Sequence, residues 1–254
     1  PVVRDAVAYA SARNVVLVAA AGNEAVNRVS YPAAYDGVIA VASVDAVGNH
    51  LYFSNRGKSV DVAAPGFAVV AAWPGGKNVE VTGTSASTAL VSGAMVSREP
   101  NLGGQQAADL IVKYADATGL PGSTEEIGGG VLNLQRVLER NQRGIVDVAA
   151  TGVVMKEEGS VGRITAGIQN RGTETVNSPA LEITVGPETR RFYPGSLAPG
   201  QTTAESLAFD LQRARQEGKV SVRSVVQLRG DQRPENDSYP QGFPLMNFII
   251  SKEK

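Results

Sequence analysis

"VEVTGTSASTALVSGAMV", residues 79–96, decides the fold. A short β-type run ends in Thr-Gly-Thr, a serine follows, and a helix of small residues starts there. Ser85 therefore stands at a helix N-terminus, where unpaired N–H groups and the positive end of the helix dipole favour developing negative charge. The same residues also fit a simple cap, with Ser85 or Thr84 serving the first turn. Working outward, "VVLVAAAGNE" (15–24) runs an apolar strand into Gly22-Asn23. An amide just past a strand's C-terminal end can donate into a cleft, since α/β sheets place their sites at that edge. Read alone, Gly-Asn is also a common turn pair.

The composition narrows the rest. The chain has 254 residues, 43% of them hydrophobic, and a net charge of −1. That is enough for one or two domains with real cores. No basic stripe argues for nucleic acid. Apolar runs such as "VVLVAAA" fall far short of the ~20 residues a membrane span needs. The absence of cysteine excludes disulfides and thiol chemistry, and a single histidine, His50, argues against a histidine-rich metal site. Pro1 leads straight into apolar residues at helical spacing, so an upstream part is expected.

Up to about residue 140, apolar runs alternate with helical patterns. Helices are expected at 1–13, 85–97, 105–114 and 133–141. Strands are expected at 15–20, 38–44, near 60–63, at 69–73 and at 79–82. The nearly continuous apolar character of 15–20 and 38–44 fits strands covered on both faces, as in parallel α/β sheets. "EPNLGG", with Pro100, ends the long helix. From Gly144 short alternating segments separated by Gly, Pro and Asn turns predict a small β-sandwich. The expected division is 1–141 and 144–254.

Taken together, "GTSASTALVSG" and "VVLVAAAGNE" resemble the nucleophile and oxyanion segments of subtilisin-like serine proteases. "YPAAYDGVIAVASVD", "FSNRGKSVDVAAPG", "VVAAWPGG" and "GGGVLNLQRVL" follow in that family's order. The resemblance implies part of a mostly parallel sheet flanked by helices, in the C-terminal portion of a peptidase domain. It makes Ser85 the nucleophile and Asn23 an oxyanion donor beside the Ser85 backbone N–H. Ala20, Ala21 and Gly22 become one wall of the substrate pocket, with Gly83 and Thr84 also at the substrate. It implies a cis Tyr31-Pro32 bond. Asp61, with the carbonyls of Ala33, Tyr35 and Val38, matches part of a family cation site, though by itself it reads as a solvated carboxylate. No cofactor is expected, a structural calcium apart. Ala89-Leu90 stand where the family often has Pro-His.

The family's aspartate and His-Gly-Thr-His segments would precede Pro1, so the expected partner is the N-terminal part of the peptidase domain carrying both. His50 lies between "VIAVASV" and "LYFSNRG" and reads as an exposed loop histidine. The expected activity is peptide-bond hydrolysis through an acyl-enzyme, on a peptide or protein substrate, outside the cell or in a bacterial cell envelope. The rival reading is a pseudoprotease or truncated binding or adhesion module. The second half, through "GRITAGIQNRGTETVNSPALEITVG", "SLAPGQ" and "RPENDS", resembles the bacterial cell-adhesion-related β-sandwich family, an Ig-like architecture.

Overall fold

A computed structural model describes residues 2–96, 103–119 and 124–244. Two compact units divide the chain between Arg140 and Asn141, with Gly119 belonging to the second. The expected stop at Pro100 lies outside the described residues.

The first unit opens with helix α1 (Val2–Ser11) and strands β1 (Leu17–Ala20), β2 (Val38–Val44) and β3 (Val62–Pro65). The hairpin β4 (Val69–Trp73) and β5 (Lys77–Val81) then leads into helix α2 (Thr84–Val96), followed by α3 (Gly104–Lys113) and α4 (Leu134–Glu139). The strands β1-β2-β3 form one parallel sheet in that order, with Leu17 opposite Val38 and Val41 opposite Val62.

Alternation along β2 sends its side chains to opposite faces. Ile39 and Val41 join Val62, Val91, Ile111 and Val137 beneath α2, α3 and α4. Ala40, Ala42 and Val44 join Val29, Ala33 and Ile127 on the other face. All seven residues of β2 are buried. Val41, Val62 and Val91 are fully shielded, and burying each such side chain contributes about 1.5–3 kcal/mol. The strand expected at 15–20 is shorter, and its four residues are only half-buried. Among the described residues β1 pairs with β2 alone, so its outer edge carries no strand.

The hairpin is closed at its base, where the Gly83 N–H donates to the Gly66 carbonyl at 2.8 Å. Its turn, Pro74-Gly75-Gly76, puts both glycines at positive φ.

The second unit is built of antiparallel sheets. Strands β6 (Val148–Glu158), β7 (Val161–Asn170) and β12 (Thr202–Asp210) pair in the order β12-β7-β6. Strands β9 (Ala180–Val185), β10 (Glu188–Phe192), β13 (Lys219–Gln227) and β14 (Ser238–Pro244) pair in the order β10-β9-β13-β14. A short pair, β8 (Val176–Asn177) with β11 (Ser196–Leu197), and helix α5 (Leu211–Glu217) complete it. One core receives side chains from both larger sheets, among them Ile164 and Ile168 from β7 and Leu181, Ile183 and Val222 from β9 and β13. The "QNRGT" turn is organised by buried Asn170. Its Nδ2 donates to the carbonyls of Glu174 and Leu197, each at 2.8 Å, and its Oδ1 accepts from Gly172 N–H at 3.0 Å.

Candidate active site

The C-terminal ends of the three parallel strands lead to the start of α2. Past Ala20, the chain turns at Ala21-Gly22 and presents Asn23. Past Pro65, Gly66 holds the hairpin base, and the hairpin delivers Gly83 and Thr84 to the helix. The two segments meet at one point: Asn23 Oδ1 accepts from the Thr84 backbone N–H at 2.9 Å and from Thr84 Oγ1 at 3.0 Å. The Gly22 N–H donates to Thr84 Oγ1 at 3.3 Å.

With its oxygen engaged, the Asn23 amide has its Nδ2 left to donate. A Cβ placed on Gly83 would sit 3.5 Å from that nitrogen, in ordinary contact. Gly83 has φ +147°, a conformation that favours glycine. Ser85 is exposed at the second helical position. Among the described residues neither Ser85 Oγ nor the Ser85 N–H is engaged in a hydrogen bond. The arrangement thus collects a hydroxyl, a backbone donor and a side-chain amide donor around the N-terminus of α2. Such a set can stabilise charge building up on the oxygen of an attacked carbonyl.

Below the site, Ser87 ties the first turn of α2 to the sheet. Its buried hydroxyl lies 2.8 Å from Ser43 Oγ and donates towards the carbonyls of Ala64 and Pro65 at 2.9 and 3.1 Å. Of the residues expected to line the pocket, Ala20 ends β1, Ala21 is buried and Gly22 has φ +110°.

His50 differs from expectation. It forms a β-bridge with Val44 and is half-buried, with Nε2 enclosed and, among the described residues, without a partner. Burial pushes its pKa below the ordinary histidine value; Arg56 adds to this, while Glu126 and the Asn55 backbone oppose it. None of these neighbours is Ser85. The reading as an exposed loop residue fails because the turn after β2 folds back against the strand.

Asp61 is likewise not a solvated carboxylate. It is half-buried, and its Oδ2 accepts from the Ala40 N–H at 2.7 Å, fastening β3's approach to β2. Burial raises its pKa, and the hydrogen bond partly offsets that. Among the described residues no group of three or more His, Cys, Asp or Glu side chains is placed to hold a metal ion. The Tyr31-Pro32 bond is cis.

Asn55 went unnoticed in the sequence beyond its place in "FSNRG". It is fully buried, and its side chain is bonded to the loop that carries Asn23. A lone buried asparagine leaves no periodic signal, so composition and pattern could not have found it.

The profile of the Subtilase family matches residues 2–130. Subtilisin DY of Bacillus licheniformis is 36% identical over 139 residues, covering 52% of this chain and 50% of that protein. The thermostable alkaline protease of Halalkalibacterium halodurans is 40% identical over 119 residues, covering 46% and 33%. The solved structure of a lanthipeptide protease overlays with a TM-score of 0.50 at 24% identity over 54% of each chain, a likeness of fold alone. The chain spans about half the length of the subtilisins it matches. With a strand-to-helix turn carrying an exposed serine, an asparagine fastened beside it, and the family profile running through both, the chain belongs to the Subtilase family of subtilisin-like serine peptidases.

Proposed function

We propose that this chain is the nucleophile-bearing C-terminal portion of a subtilisin-like serine endopeptidase, acting on peptide or protein substrates. The observation that carries the reading is the fastening of Asn23 Oδ1 to Thr84, which leaves the amide nitrogen and the Ser85 N–H as unspent donors beside a free hydroxyl.

In this reading Ser85 Oγ attacks the scissile carbonyl. A histidine base, supplied with its aspartate by the N-terminal part of the peptidase domain, takes the Ser85 proton. The carbonyl oxygen becomes an oxyanion and accepts hydrogen bonds from Asn23 Nδ2 and the Ser85 N–H. Collapse of the intermediate expels the amine, which leaves with the proton from that histidine. Water then cleaves the acyl-enzyme by the reverse sequence, freeing Ser85. Ala20, Ala21, Gly22, Gly83 and Thr84 line the substrate on this side of the cleft. The open outer edge of β1 is where the partner portion would continue the sheet.

The second unit acts as an Ig-like sandwich of the adhesion-related kind, a reading supported by the core common to its two larger sheets. Its role is tethering or substrate positioning, and the location is outside the cell or in the envelope.

Fluorophosphonate labelling tests the assignment. This chain by itself should label slowly, since Ser85 lacks a base. The assembly with the aspartate- and histidine-bearing part should label Ser85 rapidly, and Ser85→Ala should abolish the signal. An assembly that folds but never labels would leave a non-catalytic binding module as the better reading.

A further inference from the structure

The loop that holds Asn23 has little packing of its own. Residues 23–28 are exposed, and Ala25 and Gly22 both sit at positive φ, +57° and +110°. Conformations of that kind persist only where the surroundings impose them. Backbone bonds from residues 53–56 contribute, the Arg56 N–H donating to the Val26 carbonyl at 3.1 Å, and one side chain gathers most of the rest. Asn55 Oδ1 accepts from the N–H groups of Glu24 and Val26 at 3.0 and 3.2 Å. Its Nδ2 reaches the Ala21 carbonyl at 3.1 Å, Glu24 Oε2 at 2.6 Å and Ser30 Oγ at 3.2 Å. The Asn55 N–H also donates to the Gly22 carbonyl at 2.9 Å.

Every residue from Ala21 to Val26 except Asn23 and Ala25 is thus bonded to Asn55, and Ala25 N–H donates to Phe53 O at 2.9 Å. The Asn23 side chain bonds instead to Thr84. A Cβ on Gly22 would strike Asn55 Nδ2, Glu24 Oε2 and Ser30 Oγ, so a larger residue has no room where Asn55 gathers these groups.

We infer that Asn55 is a positioning residue for the oxyanion asparagine: it shapes the 21–26 loop so that Asn23 meets Thr84 with its amide nitrogen free. The inference rests on the roles of Ser85 and Asn23 proposed above. Only an amide supplies both the acceptor for two N–H groups and the donor for the Ala21 carbonyl and the Glu24 carboxylate.

The test is Asn55→Asp, alone and combined with Glu24→Gln. The single change keeps the acceptor but sets a carboxylate against Glu24 and the Ala21 carbonyl. Two carboxylates so close cannot both ionise at low cost. In the assembled peptidase at pH 7, labelling of Ser85 should fall about 10–100-fold, the scale of a roughly 1 Å misplacement. The loss should shrink as the pH is lowered towards 5, where the pair can share a proton. Adding Glu24→Gln, which restores a donor, should recover the rate to within a few fold. A residue that served stability alone would instead lower labelling only in proportion to the unfolded fraction, which circular dichroism on the same samples reads.

Amide hydrogen exchange on this chain supplies an arm that needs no activity. The Glu24 and Val26 amides should exchange at least about tenfold faster in Asn55→Ala, which removes their acceptor, while β2 amides stay protected. Unchanged exchange overturns the inference whatever Ser85 does. Faster exchange with an unchanged labelling rate also overturns it. If wild-type assembly never labels, the role of Ser85 fails separately. The side-chain amide resonances of Asn23 then decide, single and sharp in wild type and broadened or shifted in the variant. Should Asn55→Asp not fold, Asn55→Ser, which spans fewer partners, carries the same measurements.

Discussion

Thr84 holds Asn23 twice by the same oxygen, through its backbone N–H at 2.9 Å and its hydroxyl at 3.0 Å. The hydroxyl bond can be removed without touching the backbone one. Thr84→Val also takes the acceptor from the Gly22 N–H, so it should lower turnover of the assembled peptidase by several fold and stability by about 1–3 kcal/mol, the usual cost of leaving a donor unpaired. Asn23→Ala should cost turnover far more, about 10²–10³, the magnitude established for the same loss in subtilisin itself. Steady-state kinetics and thermal melts on both variants separate the two; equal losses would mean the hydroxyl does more than hold the amide.

His50→Ala should leave the turnover of the assembly within about twofold, because its neighbours are Val44, Glu126, Arg56 and Asn55 rather than Ser85. A fall approaching the ~10⁴ typical of a disabled triad member would place the base in this chain after all.

Arg136 is almost fully buried in α4, pairing with Asp116 at 3.1 Å and donating to the carbonyls of Tyr114 and Ala115 at 3.0 and 2.8 Å. Removing one member of a buried pair strands the other, so Arg136→Ala should destabilise the first unit by about 3–5 kcal/mol. Urea denaturation checks this. A loss under 1 kcal/mol would mean that water and Asn133 satisfy Asp116 unaided.

Asp237 gives the second unit a pH dependence. Burial, then Asp231, Asp147 and Glu235, push its pKa from 3.8 up to about 6, and Arg233 is engaged nearby with Asp147 at 2.9 Å. The folded form holds the proton more tightly than the unfolded chain does. Stability from this group is therefore complete below about pH 3.8 and declines as pH rises towards about 6. Asp237→Asn should remove that decline, raising the melting temperature at pH 7 relative to the parent and narrowing the difference near pH 4. Parallel melting curves for parent and variant across this range would refute it.

Much of the first unit was legible because its signals are local. "VIAVASV" is apolar but for Ser43, and it became a fully buried central strand. Gly83-Thr84-Ser85 marked a strand-to-helix turn, and the helix does begin at Thr84. The parts that could not be read depend on distant partners. Val15 and Val16 look like strand residues, yet β1 starts at Leu17 because only from there does β2 offer a register. The spacing of His50 between two runs showed a turn but not that it folds back on Val44. Asn55 and the Ser43–Ser87 contact join residues 25 to 44 positions away, and nothing in their own neighbourhoods marks them as buried.

The clasp between Gly66 and Gly83 has an evolutionary corollary. Because the hairpin is shut at its root, what happens at its tip need not be transmitted to Ser85. At Gly75 and Gly76 a Cβ would meet nothing within 4 Å. The ribbon is thus a natural grafting point, where added sequence is tolerated and lengthening costs only slowly growing loop entropy. A short glycine-serine insert between Gly75 and Gly76 should leave labelling of Ser85 in the assembly unchanged within about twofold, whereas the same insert between Thr82 and Gly83 should abolish it. If both inserts were equally harmful, the ribbon would be part of the working cleft and closed to such tinkering.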